Sequence, residues 1–184
     1  MNPSSGMVLV DGLSLKDQAE PIRRRIGVIT HHTFLYHNLT AFENLEFYSR
    51  LYDVPHPRKR IEEVAATVLM TSRLHDRVGT LSRGMQQRFS IARALLHNPS
   101  ILLLDEPETG LDQQAVTILR NTMHSEQGER RTILLTTHNL ERGLELSDRL
   151  LILTQGKIVY ERKTMALDLS GLKDAYHECT GVML

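Results

Sequence analysis

Apolar positions along this chain follow two rhythms, and the changes between them mark its elements. Residues 101–104 (ILLL) form an apolar run entered from Asn98 and Pro99. The run is too short for a helix and lacks polar alternation, so it predicts a central parallel strand buried on both faces. Residues 132–137 (TILLTT) predict a second buried strand, and residues 25–30 (RIGVIT) read as a strand as well. The helix-compatible segment 113–125 lies between the first two, which makes a strand-helix-strand crossover.

A helical rhythm fills the stretch from residue 38 to residue 97. Thr40 and Glu43 make a capping box, after which Ala41, Leu45, Tyr48 and Tyr52 trace one stripe. A second helix follows Val54-Pro55-His56-Pro57 and turns Ile61, Val64, Ala65, Val68 and Leu69 inward. Its basic start, Arg58-Lys59-Arg60, reads as a solvated first turn, because three charges in a row make no extended patch for nucleic acid. Met85, Phe89, Ala92 and Leu96 define the face of a third helix, with Gln86, Gln87 and Arg93 off it. Toward the end, residues 150–154 and 157–160 flank Gln155-Gly156 as a hairpin, and 166–180 reads as a helix that serves packing.

Two of these junctions carry chemistry. Asp105 and Glu106 fall at the carboxyl end of the 101–104 strand, the side on which open α/β sheets bind ligands. An acid there can hold Mg²⁺ directly or through water, and a second can orient or deprotonate an attacking water. The plain alternative is a strand ending in a solvated Asp-Glu turn. Ser82 is a natural N-cap for the third helix, and Gly84 lets a phosphate approach the unpaired amides of the helix start. Here the alternative is an ordinary capped helix. The crossover puts His138, just past the 132–137 strand, at the same sheet edge as Glu106, where an imidazole can hydrogen-bond a γ-phosphate.

Taken together, LSRGMQQR (81–88), ILLLDEP (101–107), Thr109-Gly110-Leu111-Asp112 and Thr137-His138 resemble the ATP-binding subunit of an ABC transporter. Ser82, Arg83, Gly84, Met85 and Gln86 then stand in the signature segment, with Arg83 and Met85 replacing a glycine and a glutamine. Asp105 matches the Walker B aspartate that holds the metal, Glu106 the catalytic glutamate, Asp112 the D-loop aspartate and His138 the switch histidine. His31 stands where the family has a glutamine that links Mg²⁺ and the attacking water to the membrane partner. A metal site of His31, His32 and His37 is the competing idea for that loop, although the loop offers no cysteine or acid at suitable spacing.

The resemblance implies an α/β fold with a P-loop NTPase-like, mostly parallel sheet and an inserted helical subdomain. The chain would be one partial domain: 38–97 the helical subdomain with the signature, 98–160 the Walker B, D-loop and switch core, and 161–184 a helical tail. It implies ATP and Mg²⁺ as cofactors, transmembrane permease subunits as partners, and a second ATP-binding subunit in a head-to-tail dimer. The variant signature, His31 and the tail Gly156-Lys157-Ile158-Val159-Tyr160-Glu161 look similar to exporters of the haem or drug type.

One motif of the family does not occur. None of the eleven glycines begins G-x-x-x-x-G-K-[ST], the backbone cradle and lysine that hold β- and γ-phosphates. Residues 2–12 resemble the family's segment just after that loop, so the expectation is an N-terminally truncated domain. Two functional classes follow: an ATPase that powers transport, or a non-catalytic chain that lends its signature to a partner's Walker A. A soluble ABC protein of translation or DNA repair fits less well, since those carry two such domains or a long coiled-coil insertion.

The bulk properties agree. Lys plus Arg and Asp plus Glu balance at 22 each, so no net charge draws the chain to nucleic acid. The single Cys179 forms no internal disulfide and no signal peptide is visible, which favours a cytoplasmic place, peripheral on the membrane through the permease. No apolar run approaches the roughly 20 residues that span a bilayer.

Overall fold

A tight hairpin is the first element of the chain. Strands β1 (Leu9–Val10) and β2 (Leu13–Ser14) pair antiparallel across Asp11 and Gly12, whose φ angles of 49° and 77° are those a primed two-residue turn demands. In this computed structural model residues 3–107, 113–123 and 131–181 are described. They fall into two compact units, Met1–Leu134 and Leu135–Leu184.

The first unit is built on a short sheet. After helix α1 (Ala19–Arg23), strand β3 (Ile26–Ile29) runs parallel to β4 (Ile101–Asp105), with Ile26 opposite Ile101 and Ile29 opposite Leu104. Strand β5 (Thr132–Thr136) joins on the far side of β4, giving the order β3-β4-β5. Leu102 and Leu104 are buried while Ile101 and Leu103 are only half-buried, so β4 is covered better on one face than on the other.

Strand β5 corrects an expectation. Its residues alternate between exposed and half-buried, and Leu134 is 56% exposed. Among the described residues β5 has β4 as its one strand neighbour, and an edge strand lacks cover that a central one has. An unalternating apolar run identifies a strand without fixing its place in the sheet.

The helical layer comprises α2 (Ala41–Leu51), α3 (Pro57–Thr67) and α4 (Arg83–Leu95). The capping box is present: the Thr40 hydroxyl accepts from Glu43 N, and Glu43 Oε2 accepts from Thr40 N at 2.7 Å. Those bonds hold the Glu43 carboxyl below its usual pKa. In α3, Ile61, Val64 and Ala65 are buried, as is Val68 just beyond, but Leu69 is exposed. The helix has already ended, Leu69 takes a left-handed φ of 57°, and Met70 enters the core in its place.

Two basic or polar assignments also change. Arg60 is not simply solvated: its Nε donates to Leu96 O at 3.0 Å and its Nη2 to Leu95 O at 2.8 Å, so it caps the C-terminus of α4. Helix α4 is buried well beyond its apolar stripe, with Gln87 and Arg93 only 4% and 6% exposed. The helix packs against α2, α3, β3 and α5 (Gln113–Met123), which leaves those side chains no route to water.

The second unit holds α6 (Leu140–Leu146), the antiparallel hairpin β6 (Arg149–Thr154) and β7 (Lys157–Lys163), and α7 (Leu169–Thr180). The Gln155-Gly156 turn stands as expected, with both φ values positive. Helix α7 starts later than the expected residue 166, because Thr164–Ala166 forms a 3-10 turn and the Asp168 side chain caps Gly171 N at 2.8 Å. Leu172 and Ile152 are buried between helix and hairpin.

Candidate functional site

The signature segment opens α4 as its residues dictate. Ser82 is extended and exposed, and its Oγ accepts from Met85 N at 3.3 Å. That bond caps one amide of the first turn and leaves the amides of Arg83 and Gly84 outside the helix ladder, where an anion is favoured. Arg83 is exposed, and Gly84 and Met85 are half-buried. Gln86 bends backward, its Nε2 donating to Val78 O at 3.1 Å and Leu81 O at 3.0 Å. Its NH₂ group therefore tightens the turn that presents Ser82.

The two acids lie at the carboxyl end of β4. Asp105 is the last strand residue and is exposed, while Leu104 before it is buried. Glu106, also exposed, has a φ of 43°, and the buried Pro107 follows. A left-handed non-glycine residue directly before a proline is sterically disfavoured, and such strain gathers at functional positions. Sequence reasoning placed the acids but did not foresee that backbone conformation.

The loop after β3 is pinned at both ends. Gln87 Nε2 donates to Thr30 O at 2.8 Å, and Tyr36 N donates to Asn44 Oδ1 at 2.7 Å. Between these anchors His31 and His32 are exposed, with ring centroids 3.9 Å apart. Among the described residues no three His, Cys, Asp or Glu side chains converge as a metal group.

Sequence reasoning placed Arg93 off the helical face and did not single out His97. Arg93 donates to Val28 O at 2.7 Å, and a ring nitrogen of His97 lies 3.1 Å from Ile26 O. Burial pushes both groups below their usual pKa values. The clue was present, since Arg93 falls four residues after Phe89 and three before Leu96, the i, i+3, i+4 spacing of one face.

His138 lies in the second unit and is exposed, just before the α6 N-cap Asn139. Glu106 belongs to the first unit, so the pairing of His138 with it rests on the sequence. Asp112, with the rest of the Thr109 to Asp112 motif, lies outside the described residues.

A parallel β3-β4 pair with two acids at its carboxyl end, and a helix capped by a serine, fit the P-loop NTPase-like α/β fold class. The ABC transporter family model matches residues 1–109, more than half of the 184, and the chain belongs to that family, among its ATP-binding subunits.

Relatives of known name point the same way. The ABC transporter ATP-binding protein NatA of Bacillus subtilis is 37% identical over 163 residues, 87% of this chain and 66% of that protein. The bacitracin transport ATP-binding protein BcrA of Bacillus licheniformis is 38% identical over 162 residues, 88% of this chain and 53% of that one. A solved dimeric ATP-binding cassette, in a post-hydrolysis state bound to ADP and Pi, superposes with a TM-score of 0.75 at 28% identity, over 89% of this chain and 75% of that one. The chain thus spans half to two thirds of the length of the curated relatives it matches.

The family binds ATP, typically with Mg²⁺. The residues present fit one part of that ligand: an exposed aspartate and glutamate at a strand end, and open amides at a serine-capped helix. They do not include the glycine-lysine cradle for the β- and γ-phosphates.

Proposed function

We propose that this chain is the signature, Walker B and switch portion of an ATP-hydrolysing subunit that drives an ABC exporter of the haem or drug type. The observation that carries the reading is the Asp105-Glu106 pair, exposed where β4 leaves the core and held by the strained turn at Glu106. Asp105 would hold Mg²⁺, which when bound neutralises phosphate charge. Glu106 would take a proton from, or orient, the attacking water. Ser82 and Gly84 would meet the nucleotide across a dimer interface, with Arg83, Met85 and Asp112 beside it, and His138 would donate to the γ-phosphate.

A Nod factor export ATP-binding protein of Rhizobium etli, 36% identical over 163 residues, supports the outward direction, and the dimeric post-hydrolysis cassette supports a pair of ATP-binding subunits. Among the described residues no helix is long and apolar enough to cross a membrane, so the link to a permease would run through contact. Cargo would be chosen by that permease, since no residue here reads a substrate.

Glu106→Gln tests the catalytic reading in the assembled ATPase. ATP binding should persist while turnover falls by about 10²-fold or more. Normal turnover in the variant would refute the role.

The alternative reading is that the chain lends its signature to a partner's Walker A without turning over ATP itself. In that case Ser82→Arg would silence a mixed dimer while Glu106→Gln would leave the partner's turnover intact.

A further inference from the structure

Phe34 has a φ of 55°, a left-handed backbone that a bulky side chain rarely adopts. Such a conformation persists only when its surroundings over-determine it, and here the surroundings can be named. The Tyr48 hydroxyl donates to Phe34 O at 2.6 Å. On the other side the Arg93 guanidinium lies 5.3 Å from the Phe34 ring centroid and 5.3 Å from that of Tyr48, within cation-π reach of both.

Among the described residues Arg93 has no carboxylate partner. Within them it donates to Val28 O and faces the two rings, and its buried Nε has no acceptor. A guanidinium that is 6% exposed is costly to bury unless well paired, so the fold retains a charge that an apolar side chain could replace at less expense. What a methionine or leucine there could not do is grip the backbone of β3 and two aromatic faces at once.

The same helix grips the loop a second time, through Gln87 on Thr30 O. Asn44 closes the far end by accepting from Tyr36 N and donating to Tyr36 O at 3.0 Å. Ser82 caps the start of helix α4, and the segment between these clamps carries His31. A displacement of the signature helix would therefore pull on the loop through Arg93 and Gln87.

We infer that Arg93 is a positioning residue: by holding Phe34 in its left-handed conformation it keeps the 31–36 loop, and with it His31, fixed to the signature helix α4, so that the two move as one body. This rests on the reading of α4 and the loop as parts of one nucleotide site. Its physical content, a strained loop latched to a helix, is measurable without nucleotide.

Amide hydrogen exchange on the 184-residue chain tests it, with Arg93→Lys and Phe34→Ala as the variants. Lysine keeps the charge but loses the planar fork. Phe34 is 52% exposed, so its loss removes a ring face without opening the core. Each variant should raise exchange at Leu35 and Tyr36 at least tenfold while changing Val68, bonded to Val64 O in α3, by less than twofold. The double variant should add little to either single one, as expected for two halves of one contact.

Unchanged exchange at Leu35 and Tyr36 in both variants would overturn the inference. So would an equal rise at Val68, which would make Arg93 an ordinary core residue. If the loop loosens as stated but Glu106→Gln leaves turnover normal in the assembled ATPase, the functional reading fails and the latch stands; the reverse pair of results separates them equally well.

Discussion

Gly27 in β3 sits where the sheet meets the end of α4, and Gly27→Ala probes that junction with a single methyl group. A Cβ at this position would lie 2.5 Å from Ala94 O, 2.8 Å from Leu102 Cδ2 and 2.9 Å from Pro99 Cγ. The nearest of these is a backbone atom of α4 and the third belongs to a rigid ring, so neither can simply swing aside. To bring the closest contact to 3.0 Å, the lower limit of real Cβ contacts, strand and helix must separate by at least 0.5 Å.

Overpacking a filled core costs about 1–3 kcal/mol. Restricting the unfolded chain by replacing glycine returns about 0.4–1 kcal/mol. The two leave a net loss of about 0–2.6 kcal/mol, centred on ~1.3 kcal/mol. At a urea m-value of about 2 kcal/mol per M, that central figure lowers the midpoint by about 0.7 M at unchanged slope.

Gly143→Ala supplies the contrast. Its Cβ would meet Thr137 Cγ2 at 3.6 Å and Leu150 Cδ1 at 3.7 Å, ordinary contacts inside helix α6. That variant should be neutral or stabilised by up to about 1 kcal/mol, the usual helix gain of alanine over glycine. A Gly27→Ala midpoint equal to or above that of the parent would refute the packing described here between β3 and α4.

Other consequences can be checked on the same chain. Arg60→Ala removes two charge-assisted bonds to Leu95 O and Leu96 O and should cost about 1–3 kcal/mol in urea unfolding, with Lys restoring only part; a change within about 0.5 kcal/mol would return Arg60 to the solvated first turn. His97 is held below its usual pKa chiefly by burial, and Arg93 and Arg60 add to that effect. The unfolded chain therefore binds a proton at higher pH than the folded one does. Its contribution is complete above about pH 6.5 and is lost as pH falls from there toward the lowered folded value. His97→Gln should flatten that part of the stability-pH curve; an identical slope in both proteins would argue against a buried neutral imidazole.

The sequence made legible what is local. Thr40 with Glu43, Ser82 and Gln155-Gly156 act through neighbouring backbone, and each caps or turns as its residue type requires. The Asp105-Glu106 pair was readable because a short apolar run must end in a sheet and its polar end must leave the core.

What the sequence hid depends on partners distant in the chain. Arg60 caps a helix 35 residues away, and Arg93 reaches Val28 across 65, contacts that no periodicity records. TILLT reads as a buried strand yet, among the described residues, has a strand neighbour on one side alone, because burial belongs to the neighbours rather than to the strand. Glu106 and Phe34 carry left-handed backbones that their residue types would disfavour, and both occur at the places assigned to chemistry.

Titration calorimetry of the 184-residue chain with MgATP tests the central division of the site most directly. The account gives the chain the signature amides and the hydrolytic acids but no cradle for the β- and γ-phosphates, and therefore predicts no heat of binding at micromolar nucleotide. A saturable micromolar isotherm, abolished by Asp105→Asn, would contradict that division and show that these residues hold the nucleotide without a phosphate loop.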